Sequence, residues 1–159
     1  MVRKLVCAGL LLTWSVPASA LCIYHGVDNA KTGIAREFRD SKWVVRAHVV
    51  SADYHWSDGD ESWTLYHLKV VKSYKGNLRT RFTFFTARNS GGFYLDGAGA
   101  APDLDRDYLL FLVPEEWSKA DRPFAKDALW VNFNCGQSKV WNEVSAHEAA
   151  ELDALSQVR

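Results

Sequence analysis

No stretch of this sequence is apolar for long enough to cross a bilayer, methionine occurs once and cysteine three times, and the acidic and basic residues cancel. A spanning helix needs about 20 apolar residues, which the longest run, Leu5 to Trp14, does not reach. Zero net charge leaves no electrostatic pull towards nucleic acid or an anionic membrane. Catalytic signatures are missing as well: there is no Gly-x-Ser-x-Gly, no His-Glu-x-x-His and no phosphate-cradling glycine loop. The expectation is a protein that is not an enzyme and carries no cofactor.

What is present begins at the N-terminus. Met1-Val2-Arg3-Lys4, the short apolar run and Ser15-Val16-Pro17-Ala18-Ser19-Ala20 have the order of a secretory signal peptide with cleavage after Ala20. Residues 1–20 are therefore read as the signal and residues 21–159 as one domain, periplasmic or secreted. Removing Arg3 and Lys4 shifts the balance of 19 basic and 19 acidic groups to a net charge of −2. A lipid anchor on Cys22 is disfavoured by the bulky Leu21 before it. Cys7 leaves with the signal. The two remaining cysteines, Cys22 and Cys135, most simply form one disulfide in an oxidising compartment; two free thiols are the alternative.

The mature chain is rich in strand patterns. Thr32 is placed to cap a short helix over Gly33 to Arg39, with Ile34, Ala35 and Phe38 inward. Trp43, Val45, Ala47 and Val49 then alternate with their neighbours, and a second β-rich run spans Trp63 to Tyr74. Between them Asp58-Gly59 marks a two-residue type I′ hairpin. That turn pairs Val49 with Leu68, Ala47 with Val70 and His48 with Lys69, and further out Arg46 with Val71 and Tyr54 with Trp63. It also sets Val45 against Lys72, a mismatch that a β-bulge at the far end would relieve. A turn at Tyr74-Lys75-Gly76-Asn77 leads to a third strand, Arg81 to Ala87. Residues 88–106 read as a surface loop, Asp107 to Val113 as a central apolar strand, and Ala128 to Cys135 as a fifth strand resuming at Lys139 to Trp141. Ser145 and Glu148 form a capping box for a closing helix with the stripe Ala149, Leu152, Leu155 and Val158. The fold class is mainly β: a five-stranded closed barrel with flanking N-terminal and C-terminal helices.

Few residues invite chemistry. His48 and His67 lie diagonally on one outward face, but Arg46 and Lys69 beside them oppose a cation and no carboxylate or thiolate completes a site, so no metal is expected. Asp58, Asp60 and Glu61 lack the spacing of a calcium loop. The aromatics Tyr54, Trp56 and Trp63 gather near the hairpin tip. They serve either as core and a cross-strand pair or as an exposed edge for a protein or glycan partner.

A near-N-terminal cysteine, a helical lead-in and Asp40-Ser41-Lys42-Trp43-Val44-Val45-Arg46-Ala47-His48-Val49-Val50 resemble the opening of tissue inhibitor of metalloproteinase-like and netrin-like domains. Lys69 to Gly76 is similar to their second strand, Asp107-Tyr108-Leu109-Leu110-Phe111 to a later one, and Asn134-Cys135-Gly136 to the cysteine that bridges back to the N-terminus. The resemblance spans most of residues 22–141 and implies an OB-fold barrel that binds another protein, with an extracytoplasmic protease as one candidate and a cell-wall glycan as the alternative. It also makes Leu21 and Cys22 candidate contacts. In the animal inhibitors the mature chain starts with the cysteine whose amine and carbonyl clamp the protease zinc. Here Leu21 precedes Cys22, and no cysteine lies near Gly91-Gly92 ahead of the fourth strand. A single-disulfide, bacterial-type member fits best.

Overall fold

The computed structural model describes residues 22–57, 62–88, 93–96, 102–114 and 123–158. The signal segment 1–20, Leu21, the tip Asp58-Gly59 with Asp60 and Glu61, and Gly91-Gly92 lie outside the described residues. A two-residue pair, β1 (Ile23–Tyr24) with β2 (Val27–Asp28), precedes helix α1 (Ile34–Asp40). The barrel strands are β3 (Trp43–His55), β4 (Trp63–Lys75), β5 (Arg81–Ala87), β6 (Asp107–Pro114) and β7 (Leu129–Val131). A short β8 (Lys139–Val140) borders β6, and helix α2 (Ala146–Gln157) closes the chain.

The order β3-β4-β5-β7-β6 closes because β6 also pairs with β3. All pairings are antiparallel except β5 with β7. This is a five-stranded mixed barrel of OB-fold type with two flanking helices. Inside it, Val45, Ala47, Val49, Tyr66, Leu68, Phe84, Tyr108, Leu110 and Leu112 form the main core. The outward side chains of the same strands, Val44, Leu109 and Phe111, are covered by Ile34 and Phe38 of α1 and Leu152 of α2. Burial on both faces explains why β6 is apolar throughout rather than alternating.

The register agrees with the hairpin expectation in its middle, where Val49 pairs with Leu68, His48 with Lys69 and Ala47 with Val70. It shifts towards both ends, at the far end through the expected bulging and towards the tip through a bulge that was not expected. Val50 has no partner on β4, so Ser51 pairs with His67 and Tyr54 with Thr64, and it is His55 that faces Trp63. On β4, Val71 and Tyr74 are the unmatched residues, so Arg46 faces Lys72 and Val45 faces Ser73. Each extra residue bends its strand and raises the local twist, which lets a 13-residue strand wrap a narrow barrel.

Other expectations need smaller corrections. Gly33, not Thr32, occupies the N-cap of α1, and the Thr32 hydroxyl donates to Glu37 instead. Glu37 is buried with Ile34 and Phe38, whereas Ala35 is half-buried. The fifth strand stops at Val131, since the chain then turns to carry Cys135 to Cys22. That bridge joins residues 113 apart in sequence, with Cα atoms 6.0 Å apart. The capping box forms as expected: Glu148 N–H donates to Ser145 Oγ and Ser145 N–H to the Glu148 carboxylate. Val158 lies beyond the helix and is exposed, leaving Leu152 and Leu155 to face the barrel. No helix among the described residues is long and apolar enough to cross a membrane.

Candidate functional site

Among the described residues, two of the three buried carboxylates, Asp96 and Asp103, and the buried Arg88 side chain gather at the end of the barrel where β3 runs out and β4 begins. Phe82, Phe84 and Thr86 alternate inward along β5, and Arg88, one step beyond the strand, keeps the same parity. Its side chain is 7% exposed and pairs with Asp96, while Nε donates to Thr64 Oγ1 at 3.1 Å. Asp103, 6% exposed, accepts from the Tyr66 hydroxyl at 2.8 Å and from the Tyr54 hydroxyl at 2.7 Å. Nearby, Tyr108 donates to the Leu95 carbonyl at 2.8 Å. The described parts of the 88–106 connection are thus pinned to the barrel mouth by polar bonds, although their composition reads as surface loop.

Burial and then the Asp103 carboxylate push the Tyr54 phenol up to about 12 and raise Tyr66 further. Both hydroxyls stay protonated as donors across the physiological range. Thr86 Oγ1 and one Asp96 oxygen are buried without a hydrogen-bond partner among the described residues.

Two of the three expected aromatics sit on this platform. Tyr54 packs edge-on to Tyr66 with centroids 6.4 Å apart and is 42% exposed. Trp56 is 65% exposed, yet the Arg88 guanidinium lies 4.4 Å from the centre of its ring. The same guanidinium is 5.5 Å from the Tyr94 ring.

Trp63 belongs elsewhere. Because His55 is its partner, it points to the outer face of the hairpin, stacked on Phe124 (4.2 Å, 14°) and on His55 (4.9 Å, 16°). That second cluster covers Leu65 and Phe85 and is joined by Trp130. The bulge at Val50 therefore separates an aromatic trio that a regular register would hold on one edge.

The histidines have acidic partners that their strand neighbours do not reveal. His48 Nδ1 lies 2.8 Å from Asp107, which also binds Arg46, and His67 Nε2 lies 3.0 Å from Asp53. His48 Nε2 is also 3.3 Å from Asp105, so β6, the segment just before it and the distal part of β3 supply one carboxylate each. No group of three or more His, Cys, Asp or Glu gathers among the described residues. Cys22 is half-buried and bonded to Cys135.

Arg88, Asp96, Asp103 and Tyr66 are not among the site residues expected from the sequence. Arg88 was legible from its parity with Phe84 and Thr86, but the two aspartates carry no local signal. No family model matches the chain, and no curated protein matches it.

Proposed function

We propose that the protein is an exported, non-catalytic binding module whose partner docks on the hairpin end of the barrel, on Trp56 and Tyr54. One observation carries this reading: a largely exposed tryptophan rests on a guanidinium that is itself buried and fixed by Asp96 and Thr64. Taking an arginine and an aspartate out of water costs several kcal/mol per ion before pairing. What the pair supports at the surface is a ring of the type that dominates protein–protein hot spots, held in advance so that less entropy is lost on docking. The groups around it favour binding over chemistry: Asp103 is engaged by two phenols, and neither phenol ionises near neutrality.

Export is supported by the Cys22–Cys135 disulfide together with the N-terminal pattern of residues 1–20, and it makes the protein periplasmic or secreted. A tissue inhibitor of metalloproteinase-like or netrin-like relationship is supported by the OB-type strand order and by a bridge from the N-terminal segment to the turn after β7. An extracytoplasmic protein, with proteases as one class, is the partner this favours. Inhibition by an N-terminal zinc clamp is not part of the proposal. Leu21 would displace the amine by about 3.5 Å, against zinc bonds of about 2.0–2.3 Å.

The stacked Trp63 and Phe124 rings, the latter 43% exposed, favour a second reading, a polysaccharide lying across the outer face. Capture from periplasm and culture medium separates the two. Loss of a retained protein on Trp56→Ala but not on Trp63→Ala supports the first. Retention on cell-wall polysaccharide that Trp63→Ala abolishes supports the second. N-terminal sequencing that finds Cys22 first, with protease inhibition lost on acetylating the amine, would overturn the exclusion of the clamp.

A further inference from the structure

Away from the hairpin tip, a cavity of about 790 Å³ opens where β3 starts, β6 ends and the β4–β5 connection passes. Its walls are apolar in depth: Leu68 and Leu129 are buried, and Trp43, Leu78 and Phe82 pack against the main core while keeping part of their surface free. Gly76 in the turn before it permits this shape. Its φ of +72° suits glycine, and a Cβ there would sit 2.6 Å from Trp43 Cδ1 and 2.7 Å from the Lys42 carbonyl. The volume lies within the range of about 300–1,000 Å³ typical of small-molecule sites.

The rim has the opposite character. Lys42, Arg79 and Arg81 all line the cavity, all are exposed, and none makes an ion pair among the described residues. Elsewhere Arg46, Lys72, Arg88 and Lys139 each hold a carboxylate, whereas Lys31, Arg39, Lys69 and Lys126 are exposed and, among the described residues, unpaired but scattered away from this cavity's lining. In a chain with 19 acids for 19 bases, what sets the cavity apart is that three such cations converge on one lining. Asp127 also lines it, leaving a positive excess, and His67 in the wall already faces Asp53. A bare anion would leave the apolar walls unused, and a neutral lipid would leave the cations unused. Lys42 lies 4.6 Å from the Trp43 ring centre, so a headgroup on Lys42 brings its apolar body towards that indole.

We propose that this cavity binds a small anionic amphiphile, a carboxylate or phosphate monoester on an apolar body. The site is independent of the Trp56 face. The test is calorimetric titration of the processed protein with decanoate, decyl phosphate, decanol, acetate and inorganic phosphate, each below its micellar range. Saturable binding of decanoate or decyl phosphate is expected, at least about tenfold tighter than decanol, acetate or inorganic phosphate. The tighter of the two names the headgroup. Arg79→Gln with Arg81→Gln should weaken it by about tenfold or more without lowering Tm, as both residues are exposed, and Trp56→Ala should leave it unchanged. Binding should perturb tryptophan fluorescence, and Trp43→Phe should remove that signal. Decanol binding as tightly, inorganic phosphate binding as tightly as decyl phosphate, no saturable binding of either amphiphile, or indifference to the double arginine variant would each overturn the proposal.

Discussion

The helix-covered flank of the barrel, on β3 and β6, and its hairpin end, on β3 and β4, share one long strand, yet they cohere by different means. On the flank, Val44, Leu109 and Phe111 meet Ile34, Phe38 and Leu152 through apolar packing. At the hairpin end, Arg88, Asp96, Asp103, Tyr54 and Tyr66 are joined by directional bonds between charged or polar atoms. Apolar packing is non-directional and tolerates repacking; a buried polar network holds one geometry or loses its satisfaction. The flank is suited to stabilising a fold, and the hairpin end to fixing an exposed ring in place.

That contrast breaks most severely at the disulfide, which ties the segment before the flank to the turn after β7. Replacing Cys22 and Cys135 with serine frees a loop of 113 residues and should cost about 4–5 kcal/mol in urea denaturation. Alkylation of both cysteines in the non-reduced protein, read by mass spectrometry, would contradict the bridge itself. Arg88→Met comes next. It strands the Asp96 carboxylate and should cost about 3–5 kcal/mol, and it should also release Trp56, seen as a change in its fluorescence anisotropy. Leu68→Ala in the main core should cost about 2–5 kcal/mol and leave the Trp56 signal unchanged, which separates loss of stability from loss of the site.

The smallest effects are pH-dependent and belong to the flank. Lys139, and then the Ser145 N–H, hold Glu148 down at about 2 from its ordinary 4.5. Its lower folded value means that this contribution is complete above 4.5 and is lost as pH falls towards 2. Glu37 runs the other way. Burial raises it above 4.5, although Thr32 and the Gln137 N–H donate to it. Its protonated form is the better tolerated, so its contribution is greatest below 4.5 and declines as pH rises through the raised folded value. Urea midpoints against pH should show Glu148→Gln flattening the acid limb and Glu37→Gln flattening the opposite slope.

How much was legible in the sequence follows the same division. The apolar alternation of β3, the unbroken apolar run of β6, the bounds of β5 and the Ser145–Glu148 box all rest on local patterns, and each appears in place. The register holds where Ala47, His48 and Val49 pair, and the mismatch of Val45 with Lys72 marks the far-end bulges at Val71 and Tyr74, whereas the bulge at Val50 has no such mark. A bulge is chosen by barrel closure, which no single strand encodes. Glu37 was overlooked because its burial depends on the turn holding Gly136 and Gln137, a hundred residues away. Asp96 and Asp103 were hidden for a related reason: a polar residue in a glycine-rich connection looks solvated until the barrel mouth that receives it is known.

The proposed docking surface is Trp56, set on the buried Arg88–Asp96 pair. Its most direct test is the affinity of the captured exported partner for the natural protein and for Trp56→Ala, with Tm measured alongside. Trp56 is mostly exposed, so Tm should stay unchanged while affinity falls by about thirtyfold or more, as for a hot-spot residue losing about 2 kcal/mol. Undiminished affinity in a folded Trp56→Ala protein would rule Trp56 out as the docking surface.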